Sequence, residues 1–329
     1  MTTALRTAIA ATALVGALTQ AHAFDLQGHR GARGLAPENT ISAFTTALSI
    51  GVSTLELDLA MTRDNVLVVS HDSTLNPDHT RGPDGAFLAA QGPAIRSLTL
   101  DELARYDVGR LQPGTRYAQS FSDQRPVDGE RIPTLTEVFD LVRRVGADHI
   151  RFNIETKLTP TSGADTPDPE TFAAAVAAAV RAAGLVARVS VQSFDWRTLV
   201  IMRRIAPEIE RVCLTVQGPG DDNIQRGAPG PSPWTAGLDV DDHGGSTPRL
   251  VAAAGCGVWS PNFGSLTPQW LTEAKTLGLK VVPWTVNNRA DIERLIDMGV
   301  DGLISDYPDR VRSVLAAKDM PLPLQVPNR

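Results

Sequence analysis

The order in which strand-like and helix-like runs follow one another constrains this chain more than any single motif. Eight short apolar stretches, DLQGHR, STLELDL, HIRFNIE, ARVSVQS, RVCLTV, GVWSPN, KVVPWTV and DGLISDY, have the composition of strands. Amphipathic helix patterns separate most of them: ENTISAFTTALSIG, TLTEVFDLVRRVGA, DPETFAAAVAAAVRAAG, DWRTLVIMRRIAP, TPQWLTEAKTLG and NRADIERLIDMG. Strands alternating with helices of this length predict βα units and a parallel sheet. VLVVSHD is different, because only MTRDN separates it from the preceding strand, too little for a parallel crossover, so the two form a hairpin. Eight parallel units predict a closed (β/α)8 barrel in an α/β chain rather than an open doubly wound sheet. No GxGxxG opens a helix, and GHRGARG lacks the Walker spacing.

Two segments break this rhythm. Residues 73–130 are rich in turn residues and contain one short helix-like piece, TLDELARYDVG, so they read as an insertion at the mouth of the barrel and not as a second core. Residues 217–249 form another long loop, and the end, PLPLQVPNR, reads as a wrapped or frayed tail. At the other end, Arg6, the apolar run IAATALVGALTQ and Ala21-His22-Ala23 have the parts of a signal peptide over residues 1–23. The expected mature unit is one domain over residues 24–329, exported to the periplasm or secreted, with no stable membrane anchor, since the apolar run is too short to span. Losing Arg6 takes the formal net charge from -6 to -7, which excludes a general attraction to nucleic acid; nothing points to a protein partner. Cys213 and Cys256 are the two cysteines; export permits a disulfide, apolar surroundings equally suit two buried thiols, and the sequence leaves the pairing open.

Chemistry concentrates at the strand ends. Glu56 and Asp58 lie two apart in a strand, so their carboxylates share a face while Leu55, Leu57 and Leu59 take the other. The spacing recurs at Glu155 and Lys157. In a barrel such residues gather at one opening, and three carboxylates make a hard, oxygen-rich set suited to one divalent cation, Ca²⁺ or Mg²⁺. His29 and His71 each end a strand-like run beside this set, an arrangement suited to an acid and a base near neutral pH. Arg30 supplies a clamp for an anionic oxygen, which makes phosphate the group expected in the site. In GHRGARGLAPENT, Gly31 and Gly34 permit a sharp turn after the strand. Glu38 then returns toward the mouth, where it can meet a metal, a water or a substrate hydroxyl. Asn39 is the expected helix cap, with Thr40 competing.

These residues resemble the glycerophosphodiester phosphodiesterase family. The likeness runs in order through HRG at 29–31, PENT at 37–40, ELDLAMTRDNVLVVSHD at 56–72, IPTLTEVFDLV at 132–142, NIETK at 153–157, VQSFDW at 191–196, VPWTVNN at 282–288 and DGLISDYP at 301–308. The resemblance implies a TIM-type barrel, with His29 and His71 as the acid/base pair and Glu56, Asp58 and Glu155 as metal ligands. Lys157 and Arg30 match phosphate-contacting positions, and Glu38 a position drawn into the polar site. Trp284 resembles an aromatic wall at the mouth, Phe194 has a similar place, and Asp306 stands behind the first ring of residues.

Two stretches depart from the family pattern. Leu75-Asn76-Pro77-Asp78-His79-Thr80 replaces a run through arginine and paired threonines, with His79 expected as a loop histidine, and Trp259-Ser260-Pro261-Asn262 replaces a strand with histidine before proline. Both bear on the leaving alcohol more than on cleavage. The implied activity is hydrolysis of a small glycerophosphodiester, such as glycerophosphocholine or glycerophosphoethanolamine, to sn-glycerol 3-phosphate and an alcohol. The rivals are a lysophospholipase D-like phosphodiesterase and a phosphodiester-binding protein without turnover.

Overall fold

The computed structural model describes residues 24–327; the expected leader, residues 1–23, lies outside them. The chain opens with β1 (Asp25–Gly28) and β2 (Thr54–Met61), and β3 (Leu67–Val69) folds back antiparallel on β2 with Leu59 opposite Val69. The wall continues with β4 (Arg151–Thr156), β5 (Val189–Ser193) and β6 (Glu210–Thr215). A small separate hairpin, β7 (Gln217–Gly218) and β8 (Asp221–Asp222), precedes β9 (Val258–Pro261), β10 (Lys280–Val281) and β11 (Gly302–Ser305). The eight barrel strands run in the order β10-β9-β6-β5-β4-β2-β1-β11, every neighbouring pair parallel. At the seam, Asp301 N donates to Val281 O at 2.9 Å and Ile304 N to Pro283 O at 3.0 Å. The run KVVPWTV thus supplies a strand of two residues and a looser continuation, because Pro283 has no N–H to give the ladder.

Helix α1 (Ile41–Ile50) follows β1; α2 (Leu100–Leu103) and α3 (Arg116–Ser120) lie in the insertion, and α4 (Leu135–Arg144) leads to β4. The outer ring is completed by α5 (Pro169–Ala182), α6 (Trp196–Ile205), α7 (Thr247–Ala254), α8 (Pro268–Thr276), α9 (Arg289–Met298) and α10 (Pro308–Ala317). α7 and α10 do not stand out in the sequence. Each opens with a proline in its first turn, and α7 is alanine-rich, so its apolar stripe contrasts weakly with the rest. Leu55, Leu57, Leu59, Phe152, Ile154 and Val191 point outward from the barrel and are buried in one large core under this ring.

Residues 73–130 are more than a bare loop. Leu75, Ile95 and Leu103 bury against Ala60 and Val68 to make a small apolar cluster of their own, separate from the large core. The tail is wrapped: Val326 is buried and its N–H donates to Leu48 O at 2.9 Å.

The barrel interior divides in two. Val212, Val258, Val282 and Ile304, one from each consecutive stretch of wall, form an apolar cluster on one side. On the other, Gln27, Glu56, Asn153 and Gln192 are buried amides and acid. Asn153 Nδ2 donates to Gln27 Oε1 and to Gln192 Oε1, each at 2.9 Å, and Gln192 Nε2 donates to Glu56 Oε1 at 2.7 Å. A hydrogen-bonded column therefore rises inside the barrel to the strand ends, where the expected chemistry lies.

Candidate active site

The turn after β1 places the first group of residues. Gly31 has φ 81°, and a Cβ there would stand 2.6 Å from Ala43 C; a Cβ on Gly34 would stand 2.4 Å from the Tyr307 ring. Both glycines are required because the turn is pressed against α1 and against the start of α10. This brings His29 Nδ1 to 2.6 Å from Asp306 Oδ1 and leaves Nε2 4.0 Å from Glu56 Oε2. Asp306 also accepts from Arg33 Nε at 2.8 Å, Arg33 Nη2 at 3.1 Å and Asn287 Nδ2 at 2.7 Å. Burial opposes the Asp306 charge, but Arg33 and His29 outweigh it and hold its carboxyl well below the usual range. An ionised Asp306 accepting from Nδ1–H fixes the His29 tautomer, with Nε2 free toward the carboxylates.

Strand register assembles the acids. Asp58 pairs with Glu155 across β2 and β4, and Glu56 with Asn153. One oxygen from each of Glu56, Asp58 and Glu155 lies within 4.8 Å of the others, and all three residues are buried. Burial first, then the Asp58 charge, pushes the Glu56 carboxyl well up. Burial raises Glu155 to about 7, with Asp58 adding to it and Lys157 opposing. Burial also works against Asp58, but His71, Arg30 and Lys157 hold it low. Asp58 Oδ1 is buried and accepts no hydrogen bond among the described residues. An orphaned carboxylate oxygen facing two other carboxylates fits a divalent cation of the Ca²⁺ or Mg²⁺ kind, which would remove both the mutual repulsion and the missing partner.

Cationic side chains flank this cluster. Lys157 Nζ donates to Glu155 Oε1 at 2.8 Å, and Arg30 Nη1 donates to Glu38 Oε1 at 2.7 Å. The other Glu38 oxygen accepts from the Tyr117 hydroxyl, so both are taken, and Glu38 does not line the pocket. Its partners hold it against Arg30, away from the opening. His71 Nδ1 lies 2.8 Å from Asp72 Oδ1, and Asn76 Nδ2 donates to Asp72 Oδ2 at 2.7 Å. Burial, then Arg30 and Lys157, lowers His71 to about 4; burial likewise lowers His29, against Asp306. His79 stands 4.0 Å from Asp72 and 6.0 Å, ring to ring, from Tyr117, at the rim.

One cavity of about 160 Å³ is lined by His29, Arg30, Glu56, His71, Glu155 and Lys157, with Phe194 and Trp284 as its aromatic wall. The two rings meet edge to face at 5.2 Å. Asp58 sits directly behind, within the carboxylate cluster. The match to the glycerophosphoryl diester phosphodiesterase family spans residues 29–310, which takes in every one of these side chains.

The chain belongs to that family. A glycerophosphodiester phosphodiesterase of Caldanaerobacter subterraneus is 30% identical over 283 residues, covering 85% of this chain and 93% of the relative. A Bacillus subtilis glycerophosphodiester phosphodiesterase is 29% identical over 296 residues, covering 87% and 84%. Among solved structures, a Silicibacter pomeroyi protein provisionally assigned as a glycerophosphoryl diester phosphodiesterase superposes with a TM-score of 0.81 at 34% identity, over 92% of this chain and 96% of that one. This glycerophosphodiester phosphodiesterase family member is accordingly a hydrolase acting on glycerophosphodiesters, on a (β/α)8 barrel with a three-carboxylate site able to hold one divalent metal ion.

Several residues of the site are not evident from sequence. Gln192 and Arg33 line the cavity, and Tyr117, from the insertion, stands behind it, donating to Glu38 and accepting from Arg33 Nη1 at 3.3 Å. Asn39 is not the helix cap: Thr40 accepts from Ala43 N, while Asn39, at φ 56°, donates from Nδ2 to Asp58 Oδ2 at 2.9 Å. Cys213 and Cys256 form a disulfide, with Cα atoms 5.9 Å apart.

Proposed function

We propose that the protein hydrolyses small glycerophosphodiesters such as glycerophosphocholine or glycerophosphoethanolamine to sn-glycerol 3-phosphate and the free alcohol. The observation that carries this is the convergence of His29 and His71 on the same small cavity as Glu56, Glu155, Lys157 and Arg30. A binding protein has no need of two imidazoles there, and a phosphodiester needs positive charge and proton transfer together.

Glu56, Asp58 and Glu155 would hold the cation, Ca²⁺ or Mg²⁺, which when bound supplies charge for a non-bridging phosphoryl oxygen and acidifies a nearby hydroxyl. Lys157 and Arg30 neutralise the remaining phosphoryl oxygens as charge builds. One histidine takes the proton of the attacking hydroxyl, whether of water or of the substrate's own glycerol, and the other gives a proton to the departing alcohol oxygen as its bond to phosphorus breaks; where glycerol attacks, water then opens the resulting cyclic phosphate to sn-glycerol 3-phosphate, with the two histidines exchanging roles. Asp306 and Asp72 orient the two rings through Nδ1, so both present Nε2 to the reaction. Phe194 and Trp284 offer the apolar edge of glycerol a surface to lie on. Export of a single catalytic domain completes the reading, supported by the leader-like residues 1–23 and by the Cys213–Cys256 pairing, which suits an oxidising compartment.

The test is release of glycerol 3-phosphate from glycerophosphocholine by the purified mature chain, first with chelator and then with Ca²⁺ or Mg²⁺ restored, with lysophosphatidylcholine alongside. Metal-dependent release from the deacylated substrate alone supports the proposal. Turnover of the lysolipid alone assigns the site to a lysophospholipase D-like reaction instead, and metal-independent release removes the three carboxylates from the chemistry.

A further inference from the structure

A second chamber, of about 240 Å³, adjoins the catalytic cavity and shares His71, Glu155, Lys157 and Phe194 with it. Its outer part is built from the end of β4, the loop after β6 and the 217–249 segment. Leu158 and Val216 provide apolar wall, and Trp234 adds a second aromatic surface to that of Phe194. Trp234 is firmly placed: its carbonyl accepts from Trp196 N at 2.8 Å and its own N–H donates to Ser232 Oγ at 3.3 Å. Among the groups that line this chamber and not the catalytic cavity, Asp221 alone carries a formal charge. It is exposed at the start of β8, and its carboxylate forms no ion pair among the described residues.

The polar groups of the chamber are largely spent on the protein itself. Asn223 Nδ2 donates to Leu214 O at 3.1 Å while its Oδ1 accepts from Val216 N at 2.9 Å. Ser162 Oγ donates to Thr159 O at 2.8 Å and accepts from Thr166 Oγ1 at 3.0 Å. A polyol entering here would find little beyond the Asp221 carboxylate to replace its hydrogen bonds to water, a net loss. A quaternary ammonium makes no hydrogen bonds to lose, and it is attracted both to aromatic surface and to an unpaired carboxylate.

We propose that this chamber receives the departing alcohol and that, through Trp234, Phe194 and Asp221, it favours an alcohol bearing a choline-type ammonium. The inference rests on the hydrolysis proposed above. It names the part of the substrate that the catalytic residues leave unspecified. Phosphate and glycerol occupy the first cavity, and the scissile bond lies at the shared boundary, beside His71 and Lys157.

Two measurements test it. The first is kcat/KM for glycerophosphocholine relative to glycerophosphoglycerol, whose leaving alcohol carries no charge. Wild type favours the choline ester; the ratio falls about three- to fivefold in Asp221→Asn and about five- to tenfold in Trp234→Ala, and it is largely retained in Trp234→Phe. A wild-type ratio near one, or a ratio unmoved in both Asp221→Asn and Trp234→Ala, overturns the proposal. Because Asp221 is exposed, its variant tests the idea even if Trp234→Ala fails to fold. The second is calorimetric titration with choline and with its uncharged isostere 3,3-dimethylbutan-1-ol, which needs no turnover. Binding of choline but not of the isostere, weakened in Asp221→Asn, supports the chamber; equal binding of both, or of neither, sinks it. Choline binding without hydrolysis of any glycerophosphodiester would leave the chamber standing and remove the proposed reaction. Hydrolysis with no preference for the cation would do the reverse.

Discussion

Asp306→Asn is the perturbation that most directly probes the site's internal logic. Four donors converge on the Asp306 carboxylate: His29 Nδ1, Arg33 Nε, Arg33 Nη2 and Asn287 Nδ2, at 2.6, 2.8, 3.1 and 2.7 Å. An amide has one acceptor oxygen, so whichever way it turns, an NH₂ group faces two of those donors. If oxygen stays with His29, Arg33 Nη2 and Asn287 lose their acceptor, and the Arg33 charge, largely shielded from solvent, loses its counterion. Two hydrogen bonds to a charged group at about 1.5–3 kcal/mol each give a destabilisation of about 3–6 kcal/mol. A barrel with the usual 5–15 kcal/mol of stability stays folded through this at room temperature. If oxygen turns to the arginine, His29 faces a donor and adopts the other tautomer, with its proton on Nε2 toward Glu56. Loss of an oriented acid or base costs about 10²- to 10⁴-fold in kcat. Urea unfolding followed by tryptophan fluorescence gives the first figure, and steady-state release of glycerol 3-phosphate gives the second. A folded variant with kcat within about twofold of wild type would refute the assignment of Asp306 as the group that orients His29.

Three further outcomes are expected. His29→Ala and His71→Ala each lower kcat by about 10²-fold or more while calorimetry shows cation binding largely kept, whereas Glu56→Gln loses both; turnover that survives in both histidine variants would contradict the acid/base pair. Glu38 ties acid stability to its ion pair: burial opposes its charge, but Arg30, with His79 and Arg33, holds its carboxyl at about 2 rather than 4.5. Its stabilisation is therefore complete above about pH 4.5 and lost as pH falls through about 2, a difference of roughly 3 kcal/mol that Glu38→Gln should lack; equal pH slopes in urea unfolding for the two proteins would contradict it. The Cys213–Cys256 bond closes a loop with a sequence separation of 43, for which chain entropy gives about 4 kcal/mol, so a double alanine variant should unfold at markedly lower urea unless the pairing does not form.

The barrel was legible from sequence because its signal is distributed. Eight strands and most of their helices each carry a local pattern, and the short MTRDN link alone distinguishes the hairpin from a ninth parallel strand. The acids were legible for a similar reason, since Glu56, Asp58 and Glu155 are polar at inward positions of otherwise apolar strands. What remained hidden depends on register or on long-range contact. Asn153 and Gln192 look like ordinary surface amides until strand pairing sets Asn153 beside Glu56 and Gln192 beside Glu155. Tyr117 meets Glu38 across 79 residues of chain, which no local pattern reports. Asn39 misled because Asn is a good cap; the adjacent Thr40 could take that place, which freed Asn39 for Asp58.

The column from Gln27 through Asn153 and Gln192 to Glu56 has a consequence for anyone rebuilding this enzyme. Barrels of this architecture are commonly treated as a chassis, with a floor that sets stability and a rim on which loops can be exchanged at will. Here the floor and the rim share one set of hydrogen bonds, and a Gln27 or Asn153 replaced for thermostability would loosen Gln192, the amide that holds one of the two Glu56 oxygens at the top, the other being held by the Arg30 N–H. Transplanting the rim loops onto a sturdier relative would carry over the histidines but not the amides that hold Glu56 in place, so the portable unit is the loops together with the polar half of the barrel's interior.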